Sequence, residues 1–100
     1  MAELFTTGSW RVMNGKDQEF VDAWRELAEW TSSNVDGAAW AKLLQDRDDP
    51  RHFVSFGPWR SMEAIEAWRG SEGFQQRVGR LRELLESFEP ITAEVVAETG

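Results

Sequence analysis

The chain has 100 residues, enough for one domain over 1–100 with a modest core that association would strengthen. It contains no Cys, which excludes disulfides, thiolate metal sites and thiol nucleophiles. Its net charge of −7, with arginines interleaved among glutamates, excludes the basic stripe a nucleic acid needs, so no nucleic-acid partner is expected.

Met1-Ala2-Glu3-Leu4 is acidic where a secretory signal would be basic, and no apolar run is long enough to span a bilayer. A cytoplasmic protein with no membrane partner is expected. Leu4 to Val12 reads as the first strand, with Leu4, Thr6, Gly8, Trp10 and Val12 on one parity. Gly8 in mid-strand suggests a bulge or a close approach by another group. Asn14-Gly15 turns the chain. A helix follows from Asp17, read as its cap, to about Thr31, striped by Phe20, Trp24, Leu27 and Thr31. Arg25 and Glu29 stand at i,i+4 on its outer face. Ser32-Ser33-Asn34 and Asp36-Gly37 end it.

Ala38 to Gln45 reads as the second strand. Asp46-Arg47-Asp48-Asp49-Pro50 is a short polar turn, so the third strand, from about Arg51, should return as an antiparallel hairpin. Phe53-Val54-Ser55-Phe56-Gly57-Pro58-Trp59 is aromatic-rich and suited to a buried strand, with Pro58 ending it or marking an edge. Ser61 can cap a helix in which Met62, Ile65 and Trp68 share a face. Gly70 stops that helix and Ser71 offers a second cap. Phe74, Val78, Leu81, Leu85 and Phe88 then continue at helical spacing. Glu89-Pro90 marks a stop, and Ile91 to Glu98 is the fourth strand.

The order strand–helix–strand–strand–helix–strand is that of an α+β, ferredoxin-like βαββαβ fold: a four-stranded antiparallel sheet with helices on one face. Such a sheet should be polar on its second face. Here Val54 and Phe56 adjoin Phe53, and Leu44 adjoins Leu43, so both parities are apolar. A two-fold homodimer that packs sheet on sheet would cover the second face.

Chemistry-bearing residues are few. His52, the only histidine, suits a solvated turn or a base. Asp46, Asp48 and Asp49 lack the Gly and terminal Glu of a calcium loop, and one His with scattered carboxylates makes no metal site. No Gly-x-Ser-x-Gly elbow or phosphate loop is present. Arg82 and Glu86 have the spacing of a solvated helix face, and Arg77 and Arg80 share that role unless one turns inward to hold an anionic oxygen. Six Trp and six Phe with no Tyr fill a core or wall a slot for a flat apolar ligand, without a phenolic proton donor.

The "FVSFGPW" strand, the "SMEAIEAWR" helix, the "GSEGF" restart and the closing "FEP" together resemble the antibiotic biosynthesis monooxygenase domain family over essentially the whole chain. The resemblance implies a dimeric α/β barrel. It also implies cofactor-independent oxidation of a small aromatic, an anthrone or quinol, by molecular oxygen between sheet and helices. Candidate walls are Trp24, Leu27, Phe56, Ile65, Phe74 and Val78, with Trp68 and His52 as catalytic candidates; proton removal would fall to water, His52 or a buried carboxylate. The alternative is a non-catalytic dimer that binds an apolar aromatic molecule. The family's haem-degrading branch carries an axial His where this chain has Val78, and an Asn on a first strand that has none here. No haem ligand is therefore expected, and no cofactor.

Overall fold

A computed structural model describes residues 3–100; Met1 and Ala2, half of the acidic N-terminal stretch, lie outside the described residues. Among these residues the order is β1 (Leu4–Val12), α1 (Asp17–Asn34), β2 (Lys42–Gln45), β3 (His52–Trp59), α2 (Met62–Gly70), α3 (Glu72–Arg82) and β4 (Leu85–Glu94). The strands form one sheet in the order β2-β3-β1-β4, and every neighbouring pair is antiparallel. This is the α+β, ferredoxin-like arrangement that the element order predicts.

Register assigns the faces. Gly8 lies opposite Ser55, and Trp10 opposite Phe53 and Phe88, so these residues share the face under the helices. Trp10, Val12 and Phe53 join Phe20 and Leu27 of α1 and Val78 and Leu81 of α3 in one buried cluster. Burial of such side chains is the main term holding helices to sheet, at about 1.5–3 kcal/mol for each large one. Trp10 stacks on Phe88 with ring centroids 3.9 Å apart. A Cβ on Gly8 would stand 2.9 Å from Nε1 of Trp10 and 3.0 Å from Phe88, so the close approach expected at Gly8 is that of the stack.

Among the described residues, the opposite, outer face keeps large apolar side chains exposed. Leu44, Val54 and Ile91 are 51%, 37% and 56% exposed there. Trp40 bridges Phe5 and Phe56 edge-on, at 6.2 and 5.8 Å.

Several boundaries differ from the sequence reading. Helix α1 runs on through Asn34, because Ser32 and Asn34 bond backwards to the carbonyls of Glu29 and Trp30. Lys16 holds its cap position without a side-chain cap, and Asp17 is its first residue, where a carboxylate meets the positive helix end. Arg25 pairs with Asp22 at 3.8 Å rather than with Glu29. Strand β2 begins at Lys42; before it only Ala38 bridges to Trp59.

Pro58 does not end β3. It pairs with Phe5 beyond Phe56, the last β3 residue in register with β2, where β3 becomes a local edge. Helix α3 stops at Arg82, and Leu85 and Phe88 belong to β4. Pro90 sits inside β4 opposite Gly8, tolerated because β4 is an edge strand. The helix-like spacing from Phe74 to Phe88 thus spans a helix, a turn and a strand. The break between α2 and α3 is as read: Ser71 Oγ accepts from the Phe74 backbone N–H and donates to the Trp68 carbonyl, so one side chain ends one helix and starts the next.

Candidate active site

Between the sheet and its helices lies a cavity of about 330 Å³. Its floor is chiefly the inward parity of β1 and β3 with Phe88 and Pro90 of β4, bordered by Thr7, Phe56 and Pro58; its roof is drawn from α1, α2 and α3; the lead-in to β2, Ala38–Ala41, closes one side. Six of its residues form a repeated unit. Trp10 Nε1 donates to Ser55 Oγ at 2.9 Å, Trp59 Nε1 to Thr6 Oγ1 at 2.9 Å and Trp68 Nε1 to Thr31 Oγ1 at 3.0 Å. The first two are reciprocal, since β1 and β3 each supply one indole and one hydroxyl. These bonds satisfy indole N–H groups that burial would otherwise penalise. They also fix the ring planes: Trp68 lies 4.7 Å from Trp59 and 4.5 Å, edge-on, from Phe74.

Of the wall residues read from the sequence, Trp24, Leu27, Phe74 and Val78 line this cavity, as does Trp68. Phe56 borders it, but its register puts its side chain on the outer face with Trp40 and Phe5. Ile65 is fully buried core of α2 and is not a wall.

His52 is outside the cavity. Its ring lies between Asp46 and Ser9, with Nδ1 3.1 Å from Asp46 Oδ2 and Nε2 3.1 Å from Ser9 Oγ. The carboxylate selects the tautomer: Nδ1–H donates to it, leaving Nε2 to accept from the serine. The connectivity is that of a Ser-His-Asp relay. The backbone of Ser9, however, is paired on both sides, to Val54 and to Glu89, so no free N–H pair stands ready for an oxyanion. The relay pins the β2–β3 hairpin to β1. It also makes the aspartate cluster a built turn rather than a merely solvated one. The hydrogen bond from His52, then that from the Asp48 backbone N–H, holds the Asp46 carboxyl below the usual carboxylate range. Among the described residues no group of three His, Asp or Glu converges as a metal site.

Two arginines line the cavity that the sequence reading did not put there. Arg69 of α2 donates to Thr92 Oγ1 at 2.9 Å, and Arg82 reaches it from the last turn of α3. The i,i+4 pairing of Arg82 with Glu86 does not form, because the helix ends between them and Glu86 pairs with Arg51 instead. Arg77 and Arg80 stay outside: Arg77 lies over the Trp30 ring at 4.5 Å, and Arg80 pairs with Glu26 at 2.9 Å. Extending the row Phe74–Val78 by four more residues reaches Arg82, which is the signal that marks it.

No curated protein matches the chain in a sequence search. Among solved structures, a mutant of SnoaB, a cofactor-independent oxygenase from Streptomyces nogalater, superposes with a TM-score of 0.87 at 21% identity, over 96% of this chain and 95% of that one. A conserved protein from Methanosarcina mazei Go1 gives 0.83 at 20% identity, over 93% and 92%, and PA3566 from Pseudomonas aeruginosa gives 0.81 at 22%, over 97% of each. At such identities these likenesses establish the fold. The family itself is settled by its sequence profile, described as antibiotic biosynthesis monooxygenase, which matches residues 5–80, and the chain belongs to that family.

Proposed function

We propose that this protein is a cofactor-independent monooxygenase that oxidises a small electron-rich aromatic, of anthrone or quinol type, with molecular oxygen in the cavity beside Trp68. The observation that carries this reading is the cavity, roofed by helices and walled by flat indoles held in place by their own hydrogen bonds. A planar ring system fits such a slot. The family membership and the likeness to a cofactor-independent oxygenase support it.

The chemistry asks little of the protein. A substrate CH₂ flanked by aromatic rings loses a proton to give a delocalised carbanion. That anion gives one electron to O₂, and the radical pair collapses to a C–O bond. The resulting hydroperoxide loses water to leave a ketone: R₂CH₂ + O₂ → R₂C=O + H₂O. The chain's residues orient the ring and exclude water, and their hydroxyl and guanidinium donors face developing negative charge on oxygen. No haem ligand arises at Val78, which sits in the cavity wall.

The functional unit in this reading is a homodimer through the outer sheet face, where Phe5, Trp40, Leu44, Val54, Phe56 and Ile91 offer an apolar surface. The test is oxygen uptake with a panel of anthrones and dihydroquinones under air. Uptake well above the spontaneous rate, lost in Trp68→Ala, is the expected result. Quenching of Trp emission without uptake would leave a dimeric binding protein for an aromatic ligand. That second reading has one observation in its favour: among the described residues no carboxylate, imidazole or amine lines the cavity.

A further inference from the structure

Besides its indoles, the polar side chains of the cavity are hydroxyls, two arginines and the Gln75 amide. Thr6, Thr31 and Ser55 each accept an indole N–H, and among the described residues none donates its own hydroxyl proton to a protein acceptor. Thr31 and Ser55 are buried, where an unused O–H is costly. A hydroxyl that accepts one hydrogen bond is polarised and becomes a stronger donor in the next. One N–H of the Gln75 amide is given to the Arg69 carbonyl at 2.8 Å. The charged groups are Arg69 on α2 and Arg82 on α3; the sheet strands and α1 bring none. The cavity thus offers hydroxyl protons and guanidinium N–H groups, and no side chain able to take a proton at neutral pH. It does so in a chain of net charge −7, whose general field disfavours anions.

We infer that the cavity takes its substrate as a preformed oxyanion, a phenolate or the enolate of an anthrone ionised in water before entry, and that Thr31, Ser55 and Arg82 select that form. The inference rests on the oxygenase reading for its substrate class, and it explains how that reaction proceeds without a base. The proton is lost to solvent outside. Inside, the bound anthrone enolate, written as its carbanion form, supplies the electrons: R₂CH⁻ + O₂ → R₂C=O + OH⁻, the hydroxide taking up a proton from water afterwards. A neutral aromatic hydrocarbon would leave the hydroxyl protons of Thr6, Thr31 and Ser55 without an acceptor, so specificity runs toward rings that carry ionisable oxygen.

The experiment measures binding by quenching of Trp emission, for naphthols and hydroxyanthraquinones of graded acidity, across pH. Affinity should be flat above each ligand's own pKa and fall about tenfold for each pH unit below it, so the curves shift from ligand to ligand. Tighter binding of the neutral form, or one midpoint common to all ligands, would overturn the inference, because either points to a protein group. Arg82→Gln should weaken the anion about tenfold and leave the methyl ether of the same ligand unchanged. Thr31→Val with Ser55→Ala should do likewise while near-ultraviolet circular dichroism stays native. If those variants fail to fold, the wild-type pH series still decides. Anion-selective binding without oxygen uptake would sustain this inference and overturn the oxygenase reading alone. Oxygen uptake with binding of the neutral form would do the reverse. No binding of any ligand in either form overturns both.

Discussion

Phe53 and Val54 are neighbours in the chain with opposite surroundings. Phe53, 1% exposed, is packed under the helices; Val54, 37% exposed, faces outward. The same contrast holds across the whole sheet. The inner face is a closed core beside an indole-walled cavity, and its polar atoms are few and hydrogen-bonded. The outer face carries apolar side chains that stay exposed among the described residues, at Leu44, Val54 and Ile91. Strand pleating puts the two sets one residue apart. A sheet that must be apolar on both sides cannot show the alternation expected of a half-solvated one. Among the described residues the inner face is closed by the chain's own helices, and the outer face stays exposed.

The sharpest way to break that contrast is to truncate each neighbour. Phe53→Ala opens a void between Phe20 and the sheet, where the two rings lie 4.9 Å apart, and should cost about 3–5 kcal/mol in urea-induced unfolding. A loss below about 1 kcal/mol would mean that the inner face is looser than its burial indicates. Val54→Asp should spare the fold of the protomer and act on association. It places a charge from each copy into an apolar contact, at about 1–3 kcal/mol or more per copy. Sedimentation should then read one protomer mass at a concentration where the parent reads two. A parent already at one protomer mass would remove the dimer.

A third comparison lies on the helix side. A Cβ on Gly73 would fall 2.1 Å from Cζ2 of Trp30, because the first turn of α3 lies directly on that ring. Gly73→Ala should cost about 1–3 kcal/mol by overpacking. The same substitution at Gly70 or Gly79, where a Cβ meets nothing, should not destabilise. Equal effects at Gly73 and Gly79 would show that helix propensity, not the Trp30 contact, sets the outcome.

What the sequence made legible follows from the same contrast. Elements whose burial is one-sided announced themselves: β1 by parity, α1 by the row from Phe20 to Thr31, and the α2–α3 break by the Ser71 cap. The family was legible from the Phe53–Trp59 strand and the helix after it. β4 was not, because it is an edge strand with Pro90 inside, and it pairs out of step with β1 between Arg11 and Val12. Its apolar residues are too sparse to show a period of two. For the cavity, the wall formed by Trp24, Leu27, Phe74 and Val78 could be read from helical rows. The hydroxyls of Thr6 and Ser55 could not, since their partners lie on another strand. Arg82 was obscured by Glu86, whose spacing mimics a helical ion pair although the helix stops between them.

The smallest expected effect sits where the two faces meet, at the β2–β3 turn. Asp49 Oδ2 lies 2.8 Å from the Arg11 guanidinium, and its Oδ1 accepts from the Arg51 backbone N–H at 3.1 Å. The bond from Arg11, then that from Arg51, holds its carboxyl below the usual range. A depressed folded-state pKa means that the unfolded chain takes the proton first. The stabilisation is therefore complete above the ordinary Asp value of about 4 and is lost as pH falls through the folded value. Asp49→Asn keeps an acceptor oxygen and loses the charge. The difference in thermal midpoint between parent and variant should be small at neutral pH, as suits so exposed a pair, shrink below about pH 4 and vanish in stronger acid. It should also fall with added salt, since the pair stands in water. A difference that stays constant from neutral pH into acid would assign the effect to the shape of the turn, leaving the charge on Asp49 without a part in joining the hairpin to β1.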